Sequence, residues 1–256
     1  MERKYLALSL LLVTLFLPAS TFAFEIGAQG YYWFPSLDGN VKVDKAGIIG
    51  STIDFEKDLG IEDENYPSVE VLLGSGRHHL SLAYTSIHYS GYNTPSRPIT
   101  FNGQTYNTTD TIDSSIEYRT FDLHYQYDFL NLENVLAGFS LGAVLQVKHL
   151  DGEVGLKTTT GNVIDEKEDF TLPIPMIGLN LHMGMLADIL EARLRGTAIG
   201  YAGNTIYELM ADISWTPLPF LDIHGGYKTF VIDINEDDVI FDHDMSGPFV
   251  ALTVSF

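Results

Sequence analysis

The sequence has no cysteine, few basic residues and no long apolar run beyond its first residues. Without cysteine the chain has no disulfide scaffold, thiolate metal site, cysteine nucleophile or lipidated N-terminal cysteine. Only 14 Lys and Arg residues accompany 34 Asp and Glu residues, so the formal net charge is −20. That balance opposes binding to nucleic acid, because contacts to phosphates need clustered basic side chains. We predict no nucleic-acid partner and no cofactor.

The apolar content is nevertheless high for such an acidic chain. Hydrophobic residues make up 45% of it, aromatic residues 12%, and the mean hydropathy is +0.07. A disordered acidic protein would lack this apolar content. The stretches Val135–Val147 and Leu172–Leu190 are too short or too interrupted, by Pro173 and Pro175 among others, for a spanning helix of roughly 20 residues. The apolar residues must therefore belong to a structure other than a membrane-spanning helix.

The N-terminus has the three parts of a secretory signal peptide. Residues 2–4 include Arg3 and Lys4, the run Tyr5–Leu17 is apolar, and Thr21 and Ala23 are small residues at a cleavage site. The sequence therefore predicts a signal peptide over residues 1–23 and one exported domain over residues 24–256.

The exported domain alternates apolar and polar residues with a period of two. Phe121, Leu123 and Tyr125, for example, alternate with Asp122 and His124. Successive side chains of a strand point to opposite faces, so each such segment has an apolar and a polar face. About ten segments follow this pattern, and transmembrane strands need roughly 9–11 residues each.

The predicted connections differ in length at the two strand ends. Short turns are predicted at 74–76, 131–135, 187–189 and 217–219, and long polar loops at 35–65, 93–114, 150–170 and 235–245. Ala202-Gly203-Asn204 is a tight turn on the long-loop side. Short turns on one rim and long loops on the other are typical of outer-membrane barrels, and an even strand number places both termini at the short-turn rim.

The last strand ends in an aromatic residue, with apolar residues at alternate positions before it. These residues are Val250, Leu252, Val254 and Phe256. With the signal peptide and the alternation, they make the chain similar to Gram-negative outer-membrane β-barrel proteins of the small-barrel class. The resemblance implies an all-β, closed antiparallel up-and-down transmembrane barrel of about ten strands, with eight or twelve as alternatives. It also implies a monomer in the outer membrane, in contact with lipid and lipopolysaccharide, whose terminal signature is read by the barrel-assembly machinery.

Aromatic residues are placed as two interfacial girdles would require. Phe129, Trp215, Phe220 and Phe256 fall at short-turn ends, whereas Tyr31, Tyr32, Trp33, Phe34, Tyr84, Tyr89, Tyr92 and Tyr118 fall toward long-loop ends.

The alternative to a membrane barrel is a soluble periplasmic ligand-binding β-barrel, in which the apolar face would point inward.

If the apolar face meets lipid, the polar face lines the lumen. Its members form a predicted network: Asp122, His124, Asn180, His182, Glu191, Arg193, Arg195, Asp212, Asp222, His224 and Lys228, with Glu25, Glu70, Gln146, Lys148 and Glu208 on the same faces. Buried charges must be paired, so the network should close the lumen or leave a narrow path. The function predicted is a structural, surface-interaction or narrow-pore role for small solutes.

Three lumen segments share an Asp/Asn-x-His spacing. They end in His124, His182 and His224, and all three could lie at similar depth. Neutral imidazoles bind Zn, Cu or Ni, so one hypothesis is a metal or proton-titrating cluster, whose metal stays unknown. The other is that each His bridges acids within the lumen.

Two further patterns lie near the long-loop rim. Asp242-His243-Asp244 is the one tight triplet with the chemistry of omptin proteases, ten-stranded barrels that use Asp and His pairs at this rim. A rim hydrolase is therefore the enzymatic alternative, although non-enzymatic roles are favoured. Asp233, Asn235, Asp237 and Asp244 have EF-hand spacing but lack its Gly and its closing Glu.

Overall fold

The computed structural model describes residues 24–44, 47–132, 138–160, 164–186, 189–236 and 239–256. The predicted signal peptide, residues 1–23, lies outside the described residues. Within the described ranges, no helix is long and apolar enough to cross a membrane.

The described residues form strands joined by turns and short irregular segments. The strands are β1 Phe24–Trp33, β2 Ser36–Val43, β3 Ile53–Asp54, β4 Tyr66–Ser75, β5 His78–Asn93, β6 Ile99–Phe101, β7 Gln104–Tyr106, β8 Ile112–Asn131, β9 Ser140–Thr158, β10 Asp165–Met185, β11 Leu190–Tyr201, β12 Asn204–Leu218, β13 Leu221–Glu236 and β14 Val239–Ser255.

Ten of these strands form a closed antiparallel barrel. Their order around the ring is β1-β4-β5-β8-β9-β10-β11-β12-β13-β14. Antiparallel pairing of β1 with β14, from Gly27 opposite Ser255 to Trp33 opposite Phe249, closes the ring. The predicted all-β, up-and-down barrel of about ten strands is confirmed. Both ends of the described chain lie at the short-turn rim, as an even strand number requires.

A band of apolar side chains covers the outside of the barrel. Ile177 is 69% exposed, Ile213 57% and Leu252 53%. On the same strands the polar residues Asn180, Asp212 and Thr253 are buried inside. The alternative of a soluble barrel with an inward apolar face is therefore wrong, because this exposure is stable against lipid rather than water.

The long strands exchange the polarity of their two faces partway along. On β8 the interior face carries Ile116 and Tyr118 before it carries Asp122, and the outer face carries Glu117 and Arg119 before the lipid-facing Phe121. Above this exchange the wall has the polarity of a water-soluble barrel. The ends of β8, β9, β10, β13 and β14 thus project from the membrane.

This projection corrects two predicted loops. The segment 150–170 is mostly strand, since β9 continues to Thr158 and β10 begins at Asp165. Likewise β13 and β14 reach Glu236 and Val239, so 235–245 is the end of a long hairpin. Both segments were predicted as loops because their outward residues are polar. Their inward apolar residues pack against parts of the chain that are distant in sequence, and a local pattern does not show those contacts.

The projecting walls enclose an apolar interior, which we call the upper core. Trp33, Tyr89, Tyr118, Phe230 and Phe249 are buried there. The connection between β1 and β4 covers it: β2 pairs with the upper end of β14, and buried Ile53, Phe55, Leu59 and Ile61 follow. The predicted upper girdle is wrong for Tyr31, Trp33, Tyr89 and Tyr118, which belong to the interior, whereas Tyr32, Phe34 and Tyr92 are exposed.

The barrel wall is shorter at β11 and β12 than at the projecting strands. These strands meet at the predicted tight turn, where Ala202 and Gly203 have φ values of 52° and 95°. Pairing between β10 and β11 begins only at Ile177, which leaves Asp165–Met176 of β10 with a strand partner on one side. Pro173 and Pro175 lie on this open edge, where a missing N–H costs nothing and discourages pairing with another chain.

Candidate functional site in the lumen

A layer of buried charges crosses the middle of the lumen. Lys148 Nζ lies 2.5 Å from Asp122 Oδ1 and 3.1 Å from Glu208 Oε2, and Lys228 Nζ lies 3.3 Å from the same Glu208 oxygen. We call Asp122, Lys148, Glu208 and Lys228 the central charge layer. Its two acids and two bases balance, which a low-dielectric interior requires.

Strand register brings some residues of the central charge layer together, and hydrogen bonds from a side-chain amide connect the others. Asp122 and Lys148 are register partners on β8 and β9. Gln146 then joins the walls, because its Nε2 donates to Asp122 Oδ1 at 3.2 Å and Glu208 Oε1 at 3.3 Å. Thr197 on β11 donates to Gln146 Oε1. Through Gln146 and Thr197, the central charge layer on β8, β9, β12 and β13 is also connected to β11.

Aromatic rings of the upper core cap the central charge layer. Lys148 Nζ lies 4.8 Å from the ring centre of Phe230, and Lys228 Nζ lies 5.0 Å from that of Trp33. Such cation–π contacts stabilise ammonium groups away from water. Trp33 is further fixed because its Nε1 donates to Gly247 O at 3.2 Å. Charges and rings together obstruct the lumen.

Below the central charge layer, a cavity of about 520 Å³ is lined by strand segments near the short-turn rim. We call it the vestibule. Most of the predicted network lines it: His124, Asn180, His182, Glu191, Arg193, Arg195, Asp212, Asp222 and His224. Asp122 and Lys228 belong instead to the central charge layer. The structure thus divides the predicted network between two levels.

Most charges of the vestibule have partners. Arg193 and His224 both contact Asp212 Oδ2, at 3.0 and 3.1 Å. His182 Nε2 lies 3.2 Å from Glu191 Oε2. Asp222 accepts a hydrogen bond from the Thr216 hydroxyl at 2.6 Å. These contacts follow from neighbouring strands with matched register.

The three histidines of the Asp/Asn-x-His segments do not converge. His224 contacts Asp212 and Thr253, His182 contacts Glu191, and His124 Nδ1 lies 3.4 Å from Ser81 Oγ. Among the described residues, no three acidic or His side chains are grouped closely enough to hold a metal ion. Strand spacing set their depth but not their place around the ring, and His182 and His224 each contact a single acid.

Asp242-His243-Asp244 does not form an Asp–His pair. Strand alternation directs His243 into the upper core, where its Nε2 is 3.0 Å from the Tyr118 hydroxyl. Asp242, on the other face, accepts a hydrogen bond from Asn40 Nδ2 at 2.8 Å. Burial lowers the pKa of His243 to about 4, because the charged form loses water. The same burial raises the pKa of Tyr118.

The EF-hand-like spacing does not form a calcium-binding loop. Asp233 and Asn235 lie on β13, and Asp244 lies on β14. An extended hairpin separates these side chains along its length, whereas an EF-hand loop wraps around its ion. Asp237 lies outside the described residues.

The fold and the outer apolar band define the chain as an integral outer-membrane β-barrel protein. The outer membrane protease OmpT from Escherichia coli has a similar structure, with a TM-score of 0.62 and 11% identity over 93% of this chain and 99% of that one. The translocator domain of the autotransporter NalP from Neisseria meningitidis (TM-score 0.46, 8% identity, 99% and 96% covered) and Ail of Yersinia pestis in complex with a heparin analogue (0.35, 12%, 91% and 99%) are more distant. No family model and no curated protein matches the sequence. At such identities the OmpT likeness establishes the fold alone.

Proposed function

We propose that the protein is a closed, non-conducting barrel with a structural and surface-interaction role. The observation that carries this proposal is the double obstruction of the lumen, by the central charge layer and by the upper core. The projecting walls of β8, β9, β10, β13 and β14 then serve as a rigid platform above the membrane. Their outer faces are polar, with Glu117, Asp151 and Lys167 among them.

We expect no stable conductance when the purified protein is inserted into planar lipid bilayers. The reason is that no ion can pass without displacing the buried Lys148–Glu208 pair and the rings above it. A general porin inserted in the same bilayers is the positive control. Steady single-channel steps from the wild-type barrel would contradict the proposal.

A narrow pore is the second candidate, favoured by the depth to which the vestibule enters the lumen. A variant with Ser36–Ile61 replaced by a short Gly-Ser linker distinguishes the two candidates. A closed barrel stays non-conducting without this cover, because the central charge layer remains. Conductance in this variant alone would assign the β1–β4 connection as a gate.

Export and assembly form a further part of the proposal. Residues 1–23 would act as a signal peptide, and Val250, Leu252, Val254 and Phe256 as the signature bound by the barrel-assembly machinery. The exposure of Phe256, at 82%, and its stacking on Phe220 with centroids 6.4 Å apart support an accessible terminal aromatic. The barrel closes on its own strands, which suits a monomer surrounded by lipid and lipopolysaccharide.

Replacing Phe256 by Ser is expected to lower the outer-membrane level of the protein several-fold. The change removes the terminal aromatic and its interfacial contact with Phe220. Immunoblots of membrane fractions measure the level, and unboiled samples on denaturing gels measure folding. The matched control is Phe129→Ser, which removes a 48% exposed aromatic elsewhere on the barrel. Equal levels of the Phe256 variant and the wild type would refute the assembly role.

A further inference from the structure

Four charged side chains of the vestibule form no ion pair among the described residues, namely Glu25, Glu70, Arg195 and Asp222, and of these Asp222 accepts the Thr216 hydroxyl hydrogen bond. Among the described residues, Arg195 makes no ion pair; its Nη2 lies 3.5 Å from the sulfur of Met210. Glu25 and Glu70 also line the vestibule, and neither forms an ion pair within the described part of the chain. Glu70 is only 6% exposed. A carboxylate as enclosed as Glu70 is normally paired, so Glu70, together with the more exposed Glu25 and Arg195, is available to a ligand.

The unpaired charges of opposite sign lie on opposite walls. Glu25 and Glu70 belong to β1 and β4, whereas Arg195 belongs to β11, five places from β4 around the ten-strand ring. Arg193 neighbours Arg195 on the same face of β11, but it is paired with Asp212. The unpaired acids Glu25 and Glu70 and the unpaired Arg195 therefore face each other across the vestibule.

His124 supplies a second, independent sign of a missing ligand. Its side chain lines the vestibule and is 5% exposed, yet its Nε2 has no hydrogen-bond partner among the described residues. The Glu208 Oε1 atom is 4.0 Å away, beyond hydrogen-bond distance. When Ser81 donates to Nδ1, Nε2 carries the proton and becomes a donor. A buried donor of this kind needs a partner.

Arg195 and His124 both line the vestibule. Asp122 and Glu208 are already paired with Lys148 and Lys228, so no carboxylate of the central charge layer is left for Arg195. A planar guanidinium and an imidazole donor that face one cavity can together bind a carboxylate, which accepts two parallel hydrogen bonds.

We propose that the vestibule binds a small zwitterion such as an α-amino acid. Its carboxylate would contact Arg195 and His124, and its ammonium group would face Glu25 and Glu70. The volume of about 520 Å³ lies in the range of small-molecule sites and leaves room for water around such a ligand. The ligand would enter from the periplasm, since the central charge layer closes the other side.

Three probes of matched size test the proposal on the folded protein in detergent micelles. Saturation-transfer NMR follows the methyl group of L-alanine, which has both charges, of propionate, which has the carboxylate alone, and of ethylamine, which has the ammonium alone. We expect alanine to bind most strongly. Arg195→Met should weaken alanine and propionate about tenfold, the loss typical of one charged hydrogen-bond partner. Glu70→Gln should weaken alanine and leave propionate unchanged.

Matched controls separate the site from general effects. Lys167→Met removes an exposed cation and Glu168→Gln an exposed acid, both on β10 outside the vestibule. Arg195→Lys keeps the charge and should retain part of the binding, and heat-dependent gel migration shows whether each variant folds. The proposal is overturned if wild type gives no alanine signal, or if folded Arg195→Met binds alanine like wild type. Equal binding of alanine and propionate, unaffected by Glu70→Gln, would also overturn it.

Discussion

Replacing Glu208 by Gln is expected to lower the free energy of unfolding by about 3–5 kcal/mol, the cost of removing one partner from a buried ion network. Gln keeps the size of the side chain and its contact with Gln146, but removes the charge. Lys148 retains Asp122, whereas Lys228 keeps only the Tyr31 hydroxyl at 3.4 Å and its neighbouring rings. The substitution therefore leaves a buried ammonium group without a counter-ion.

Urea unfolding of the barrel in lipid vesicles, followed by tryptophan fluorescence, measures this loss. Trp33 reports on the lumen beside Lys228, and Trp215 reports on the lipid face. Glu168→Gln, at an exposed position of β10, is the matched control and should change stability by less than about 0.5 kcal/mol. A Glu208 variant as stable as this control would show that the central charge layer contributes no net stability.

Lowering the pH is expected to destabilise the upper core through His243. Burial among aromatic rings lowers the pKa of this imidazole from 6.5 to about 4. The unfolded chain therefore binds the proton more readily than the folded chain. The stability contributed by neutral His243 is complete above pH 6.5 and is lost progressively as the pH falls through 4. The difference between a pKa of 6.5 and one of about 4 corresponds to about 3 kcal/mol.

The variant His243→Phe isolates this contribution. Phe fits a site already bordered by Phe55, Phe230 and Phe241, and it has no proton to bind. The difference in unfolding free energy between wild type and variant should thus change by about 3 kcal/mol between pH 7 and pH 4. A difference that is constant over this range would show that His243 is hydrated in the folded protein.

The barrel could be predicted from the sequence because its main determinants are local. Each pattern that predicts the barrel lies within one strand, as do the alternation over Glu117–Phe129 and the terminal signature from Val250 to Phe256. The short turns join strands that are neighbours in the ring. The period of two separated an apolar from a polar face on each strand, and the turn lengths and the terminal residues indicated which of the two faces meets lipid. The central charge layer was therefore predictable in composition, although not in its pairs.

The upper core was not predictable in the same way. Tyr89, Tyr118 and Trp33 share the inward phase of Thr85, Asp122 and Gln29 on their strands, but aromatic side chains are equally typical of an interfacial girdle. The outward charges Glu117 and Arg119 show where the outer face leaves the membrane. The cover of the upper core comes from Phe55 and Leu59, in a connection predicted as a long polar loop. The phase of a strand gives its inward face, but it does not show which distant residues fill and cover the interior above the membrane.

The pairs within the lumen depend on ring position. Arg193, Asp212 and His224 meet because β11, β12 and β13 are adjacent, whereas His182 lies on β10 at the side of this group and His124 lies on β8. Equal depth along three strands was insufficient for a metal site. Asp242-His243-Asp244 did carry a sign of the membrane boundary. Its two acids lie on the outer face of β14, where only water can solvate them, and His243 between them faces the upper core.

The exchange of polarity along β8 and β9 also holds the barrel at one height in the bilayer. Arg119 and Asp151 are register partners on the outer face, and the outer-face pairs below them are Phe121 with His149 and then Leu123 with Val147. Sinking the barrel by one pleat, roughly 7 Å, would move this pair into the hydrocarbon, where the cost of an Arg rises from about 0–1 kcal/mol near the interface toward about 2–4 kcal/mol at the midplane. Raising it would strip lipid from the apolar band. The surrounding bilayer must therefore match its thickness to the protein, and a membrane that is too thick or too thin would deform around it.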